Sequence, residues 1–262
     1  MTITFGPAGL GPVKTAEVVL EKYHKLGLKA CEIAFTYSVY IKPEEAERIG
    51  KKAKELGIEL SIHAQYWVNL NSSEKEKREA TKKRILECCE IGEKLGARVV
   101  VFHPGYYTNK GKTAEDKEES YQNVKRGVME IMDELKKKKW KIQIAPETMG
   151  KVNVFGGIDE ISRLVKETEC SFCIDFAHIL ARDKKVDYKS IEKAFPGKEW
   201  HVHFSGIVYN EKGERHHIKT EKKAWKELIS HLPKDKKIRI INESPEMVED
   251  SVEGMKMWEK MI

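Results

Sequence analysis

The chain has 262 residues, enough for one large domain and within the size range of a single α/β barrel. Apolar residues make up 40% and charged residues 34%, so the chain is globular with a strongly solvated surface, and no apolar run approaches the roughly 20 residues that span a bilayer. A formal charge of +6 permits a polyanionic partner without demanding one.

The opening stretch Met1-Thr2-Ile3-Thr4-Phe5-Gly6 lacks a charged leader region and reads as a first strand, Ile3–Phe5. Ala16, Val19, Leu20 and Tyr23 fall at helical spacing, and Leu26-Gly27 stops that helix. A second strand, Ala30–Ile33, is followed by a helix stopped at Leu56-Gly57. The strand Glu59–His63 leads to a helix carried by Ile85, Leu86, Cys89, Ile91 and Leu95 and stopped at Gly96. Strands Arg98–His103, Lys141–Glu147, Ser171–Asp175, Trp200–Phe204 and Ile238–Glu243 complete the series. No Pro/Ser-rich linker interrupts it, so residues 1–262 are expected to form one domain, a closed (β/α)₈ TIM barrel of the α/β class. A doubly wound sheet is the alternative. The five cysteines, Cys31, Cys88, Cys89, Cys170 and Cys173, are an odd number in a large chain and are expected to be reduced structural thiols, which points to the cytoplasm.

In such a barrel the active site is assembled at the carboxyl ends of the strands. From the third strand on, these ends carry His63, His103, Glu147, Asp175 with His178, His203 and Glu243, and the long loop after the seventh strand carries Glu214-Arg215-His216-His217. Imidazoles and carboxylates are the ligands of zinc and other borderline divalent ions. One histidine or glutamate at a strand end is ordinarily a hydrogen-bonded structural residue. Six successive strands that all end this way are hard to produce by chance. Unpaired carboxylates gathered in a partly dry mouth are also costly, so cations are expected among them. One catalytic zinc needs three protein ligands. The nine candidates are His63, His103, Glu147, Asp175, His178, His203, Glu214, His216 and Glu243, enough for three ions with bridging carboxylates. Clustered metals suit an in-line phosphoryl displacement.

Several motifs then stand out together. Ser61-Ile62-His63-Ala64-Gln65-Tyr66-Trp67-Val68-Asn69-Leu70 resembles the H-A-P-Y-x-x-N-L segment of the endonuclease IV family of apurinic/apyrimidinic endonucleases. Phe102-His103-Pro104-Gly105 resembles its F-H-P-G, Pro146-Glu147-Thr148 its strand-five E-N/T motif, and Cys173-Ile174-Asp175-Phe176-Ala177-His178 its C-I-D-T-x-H. His201-Val202-His203 is similar to H-x-N/S, Arg215-His216-His217 to the R-H-H of the D-R-H-H loop, and Asn242-Glu243-Ser244-Pro245 to the closing E-T/S-P. The resemblance covers essentially the whole chain in order. It implies a trinuclear zinc site, three Zn2+ per chain with Mn2+ as a substitute. One ion would be held by His63, His103 and Glu147, a second by Glu147, Asp175, His203 and Glu243, and a third by His178, Glu214 and His216. It further implies hydrolysis of the phosphodiester 5′ to an abasic site in double-stranded DNA, leaving a 3′-hydroxyl and a 5′-deoxyribose phosphate. Glu147, shared by two ions, is the expected catalytic carboxylate.

Two departures from the family pattern are visible. Glu214 stands where the family has Asp, and the loop Phe35-Thr36-Tyr37-Ser38-Val39-Tyr40 has no Arg where well-studied relatives insert one into the DNA stack. Tyr40 is the aromatic that would replace it. Tyr66 and Trp67 follow His63 directly and suit the gap left by a missing base, where stacking is worth about 1–3 kcal/mol per base; core packing is their alternative. Lys184, Lys185 and Arg215, with Lys110, Lys112, Arg182, Lys212 and Lys219, fall in loops on the same face, as phosphate contacts should. The run Lys136–Lys139 precedes the fifth strand and is expected at the opposite end as a solvated helix terminus, like Lys51, Lys52 and Lys54. His24, His217 and His231 are expected to be surface or structural residues, and His201 a structural one a layer below His203. No obligate protein partner is implied, and a monomer is expected. The rival function is a xylose-isomerase-like sugar isomerase or epimerase on the same barrel. It would use one or two metals and a smaller set of ligands dominated by carboxylates, leaving the His178, Glu214 and His216 group without a role.

Overall fold

A computed structural model describes residues 2–261. In chain order, β1 (Thr2–Pro7) leads through a 3-10 turn into α1 (Ala16–Lys25), β2 (Ala30–Ala34) into α2 (Pro43–Leu56), and β3 (Glu59–His63) into α3 (Lys75–Leu95). The strand β4 (Val99–Phe102) is followed by the two-residue β5 (Gly105–Tyr106) and α4 (Ala114–Lys138), and β6 (Gln143–Pro146) by β7 (Val154–Phe155) and α5 (Ile158–Thr168). Next come β8 (Cys173–Asp175), α6 (Phe176–Asp183) and α7 (Tyr188–Ala194). The chain ends with β9 (Glu199–Phe204), a hairpin of β10 (Gly206–Asn210) and β11 (Gly213–Ile218), α8 (Lys222–His231), β12 (Lys237–Asn242) and α9 (Met247–Glu259).

Two parallel ladders, β2-β3-β4-β6 and β8-β9-β12-β1, form the wall. They meet at one seam through a parallel bridge between Glu147 and Cys173, where Thr148 N donates to Cys173 O at 3.0 Å. At the other seam Lys29 N donates to Phe5 O at 3.1 Å. Gly6 makes that seam close, since a Cβ there would lie 1.8 Å from Ala30 O. The result is a closed eight-stranded parallel barrel inside a ring of helices, the expected TIM barrel.

Strand periodicity divides the side chains. On β9, Trp200, Val202 and Phe204 face the helices, while His201 and His203 face the axis in register with Arg239 and Ile241 of β12. Trp225, Phe35, Phe102, Phe155, Phe176 and Phe195 are fully buried in the apolar core. Each such side chain contributes roughly 1.5–3 kcal/mol by leaving water. Inside the barrel, Val99, Val101, Ala145 and Cys173 make a small apolar cluster, whereas Glu32, Ser61, His201, His203 and Arg239 are buried polar groups.

The Leu-Gly stops hold: Gly27, Gly57 and Gly96 have φ of 85°, 66° and 65°, the left-handed conformation that ends a helix. Three other helices close on left-handed Lys139, Glu169 and Lys184, with no glycine to mark them. All five cysteines are buried and free. No helix among the described residues is long and apolar enough to cross a membrane. The main departure from expectation is the loop after the seventh barrel strand, which is the ordered β10–β11 hairpin.

Candidate metal centre

The carboxyl ends of the strands open into a cavity of about 450 Å³ lined in part by His63, His103, His178, Glu214, His217 and Glu243. Glu147 is buried among these ligands just past β6, where the ladder thins to the single bridge with Cys173. Its Oε2 lies 3.3 Å from His63 Nε2 and 3.2 Å from His103 Nε2. Its Oε1 lies 3.1 Å from His203 Nδ1 and 3.3 Å from His178 Nδ1. One carboxylate thus faces two separate histidine pairs, one with each oxygen.

These spacings are informative. Ligand atoms about 2.0–2.1 Å from one zinc in tetrahedral geometry stand roughly 3.3–3.4 Å from each other, slightly farther apart than partners in a good charged hydrogen bond. The observed contacts run from 3.1 to 3.4 Å. Ligand-type atoms within 4.8 Å of one another fall into four groups: His63–His103–Glu147, Glu147–Asp175–His203–Glu243 and His178–Glu214–His217 around the mouth, and Cys173–His201–His203, which shares His203 with the second. His63 is also preset: its Nδ1 donates to Ala64 O at 2.7 Å, which leaves Nε2 as the free lone pair facing Glu147.

Asp175 caps α6, its Oδ1 accepting from His178 N at 2.7 Å. Its Oδ2 is buried without a hydrogen bond, facing His178 Nδ1 at 3.3 Å. An orphaned carboxylate oxygen is costly, and a cation between Asp175, Glu147 and Glu243 would satisfy it. The donor set therefore fits divalent ions of the zinc type.

The third group differs from expectation in one member. His216 is exposed, and His217 is the half-buried residue that joins His178 and Glu214. His178 Nε2 lies 3.4 Å from Glu214 Oε2, and the rings of His178 and His217 are 5.4 Å apart. The physical cause is a bulge in the hairpin. Val208 pairs with His216 but Tyr209 pairs with Glu214, so Arg215 is an extra residue that shifts the in-out alternation by one. His217 Nδ1 is 2.6 Å from Ser205 Oγ. The structure thus brings His217, and not His216, beside His178 and Glu214.

Burial and charge compete throughout this cluster. Burial lifts the Asp175 carboxyl to about 6, against the pull of His178. Burial also pushes Glu147 up, but His203, His103 and His178 outweigh it and hold that carboxyl well below its usual range. In Glu243, His203 overcomes burial and brings the carboxyl down to about 2. Burial favours the neutral form of His178, yet Asp175 and Glu147 raise it well above the usual imidazole value.

The expected DNA contacts are scattered. Tyr66 is exposed at the rim and stacks on the His103 ring at 5.6 Å. Trp67 is exposed beside Tyr37, with ring centres 5.8 Å apart. Tyr40 packs edge-on against Phe35, and the more exposed aromatic of its loop is Tyr37, at 77% against 42% for Tyr40. Lys185 and Arg215 are exposed. Lys184 is held at home: its ammonium donates to Ala181 O at 2.6 Å and to Asn210 O, and lies over the Tyr209 ring. Arg182 ties down the β7 loop by donating to Lys151 O and Val154 O. Lys151 itself lines the cavity and was not anticipated. Glu32 was also missed, a buried acid whose only signal is its inward register within the apolar strand β2.

A family model described as xylose isomerase-like TIM barrel matches residues 20–261. An uncharacterized protein of Methanocaldococcus jannaschii is 34% identical over 278 residues, covering 99% of this chain and 98% of its own. An apurinic-apyrimidinic endonuclease of Caenorhabditis elegans is 30% identical over 205 residues, which is 70% of this chain and 50% of that protein. Among solved structures, endonuclease IV from Thermus thermophilus superposes with a TM-score of 0.72 at 19% identity over 100% of both chains. D-psicose 3-epimerase from Clostridium cellulolyticum gives 0.71 at 14% identity over 99% of both. Such near-equal likeness fixes the barrel and leaves the reaction to the side chains.

Proposed function

The chain belongs to the xylose isomerase-like TIM barrel family, and we propose that within it the barrel mouth is a trinuclear zinc centre that hydrolyses DNA on the 5′ side of abasic sites. The observation that carries this reading is the third ligand group, His178, Glu214 and His217, beside the four-residue set of Glu147, Asp175, His203 and Glu243. That four-residue set alone would serve a single metal. The additional histidines and the second carboxylate oxygen of Glu147 supply ligands for further ions. The named relatives support the same direction, since the Caenorhabditis elegans protein is called an apurinic-apyrimidinic endonuclease.

Zinc in these groups would supply Lewis acidity, lowering the pKa of water towards neutrality and neutralising charge on phosphate oxygens. The chain's residues do the rest. Glu147 ties the two histidine pairs into one rigid unit. Asp175 orients His178 through the α6 cap. Tyr66 and Trp67 present aromatic faces at the rim, where a base-sized gap in a duplex can be filled. Lys151, Lys185 and Arg215 offer positive charge to the backbone.

A second reading, a ketose epimerase, is favoured by the carboxylate-rich four-residue set and by the likeness to D-psicose 3-epimerase. Presenting zinc-loaded protein with a duplex carrying one abasic analogue, and separately with a ketohexose, distinguishes the two. We expect cleavage of the duplex that a chelator abolishes, and no change in the sugar. Epimerisation without cleavage would overturn the proposal.

A further inference from the structure

Glu32 belongs to none of the four ligand groups. It is fully buried at the middle of β2, paired with Ser61, and is one of the residues that line the mouth cavity. Its Oε2 accepts from Ser61 Oγ at 2.8 Å and lies 2.9 Å from His201 Nε2. Its Oε1 lies 2.9 Å from His203 Nε2, an ion-pair contact, and neither of these two buried atoms makes a hydrogen bond. Across the same ring, His203 Nδ1 is 3.1 Å from Glu147 Oε1 and 3.4 Å from Glu243 Oε1. Arg239, the nearby cation, is engaged elsewhere, with Glu59 and with His201 Nδ1.

A neutral imidazole carries one proton, and the nitrogen that keeps it is set by the hydrogen bond that nitrogen makes. We propose that Glu32 is a positioning residue that takes the Nε2–H of His203, fixes the ring's rotation and leaves the Nδ1 lone pair aimed between Glu147 and Glu243. His63 and His178 have backbone carbonyls beside their Nδ1 atoms, Ala64 O and Thr148 O, but the far nitrogen of His203 faces a carboxylate. An anionic acceptor orients more strongly and makes the opposite nitrogen a better donor to a cation. A purely structural role accounts for Oε2, which Ser61 and His201 satisfy, and leaves Oε1 with no function. The inference rests on reading the mouth as a metal centre.

The test uses the full chain with ¹⁵N-labelled histidine, zinc-loaded, together with chelator competition for zinc. We expect His203 to carry its proton on Nε2 and to bind through Nδ1. Glu32→Gln should weaken one zinc by about 10–100-fold, whereas Ser61→Ala, which frees only Oε2, should hold zinc as the parent does. A proton on Nδ1 of His203, or parental zinc affinity in folded Glu32→Gln, would overturn the proposal while leaving the metal centre standing. If Glu32→Gln does not fold, the parent spectrum decides alone. A parent protein that takes up no zinc would overturn both the metal reading and this one.

Discussion

Glu214 and His217 face one cavity from the same strand although they are three residues apart. In a regular strand that spacing puts side chains on opposite faces, and the extra residue Arg215 reverses the phase between them. His217→Ala should therefore lower bound zinc from about three ions to two, because three protein ligands make one site. His216→Ala should leave the count unchanged. Elemental analysis of the two variants side by side checks this, and loss of an ion in His216→Ala alone would show the hairpin phase to be the other one.

Glu147 is the residue on which both histidine pairs converge. Glu147→Gln keeps the volume and removes the charge, so it neither joins two cations nor offsets their repulsion. Turnover on an abasic duplex should fall by at least ~10³-fold, as for a main electrostatic group. Binding of the duplex should persist, because the rim aromatics and basic residues lie elsewhere. Kinetics accompanied by a melting curve decide it; near-parental turnover in folded protein would remove Glu147 from the mechanism.

The position of a lysine, more than its presence, governs DNA affinity here. Lys151→Gln with Arg215→Gln should weaken duplex binding and lower the slope of log K against log salt by about 1 for each phosphate no longer neutralised. Lys137→Gln with Lys138→Gln, at the far end of α4, should leave both unchanged. Lys184→Gln should lower the melting temperature more than the affinity, because its ammonium already serves Ala181 and Asn210. Fluorescence anisotropy across a salt series, with a melting curve for each variant, measures all three, and equal effects from the first two pairs would contradict the assignment of faces.

Much of this was legible in the sequence. Strands alternate Trp200, Val202 and Phe204 with His201 and His203 because one face packs on the apolar helices and the other on the polar barrel interior, and the Leu-Gly stops need only local backbone chemistry. The ligand types were legible because they sit at strand ends, a position the repeat itself defines. What failed depends on distant partners. The bulge at Arg215 arises from pairing with Tyr209, the tether of Lys184 from a carbonyl in the hairpin, and the burial of Glu32 from two histidines on β9. Tyr40 lies edge-on to Phe35 and is less exposed than Tyr37, a difference that no spacing rule reveals.

At the opposite end of the barrel, Glu59 accepts from Lys237 and Arg239. Burial alone would raise its carboxyl, but Arg239 and Lys237 together hold it below the ordinary 4.5. A carboxyl depressed in the folded state stabilises above its unfolded pKa, and that contribution is lost as pH falls below 4.5 through the lower folded value. Glu59→Gln should therefore melt lower at neutral pH and show a flatter acid limb. Calorimetry between about pH 3 and 7 in the presence of chelator tests this, and parallel curves for parent and variant would mean the pair contributes nothing.

The central claim is that the barrel mouth is built for three metal ions, and metal content per chain tests it most directly. Protein purified without added metal, shown to be active and then analysed for its elements, should carry about three zinc-like ions, as the groups around His63, His203 and His217 require. A single ion or none in fully active protein would contradict the trinuclear reading and return the site to the one-metal alternative.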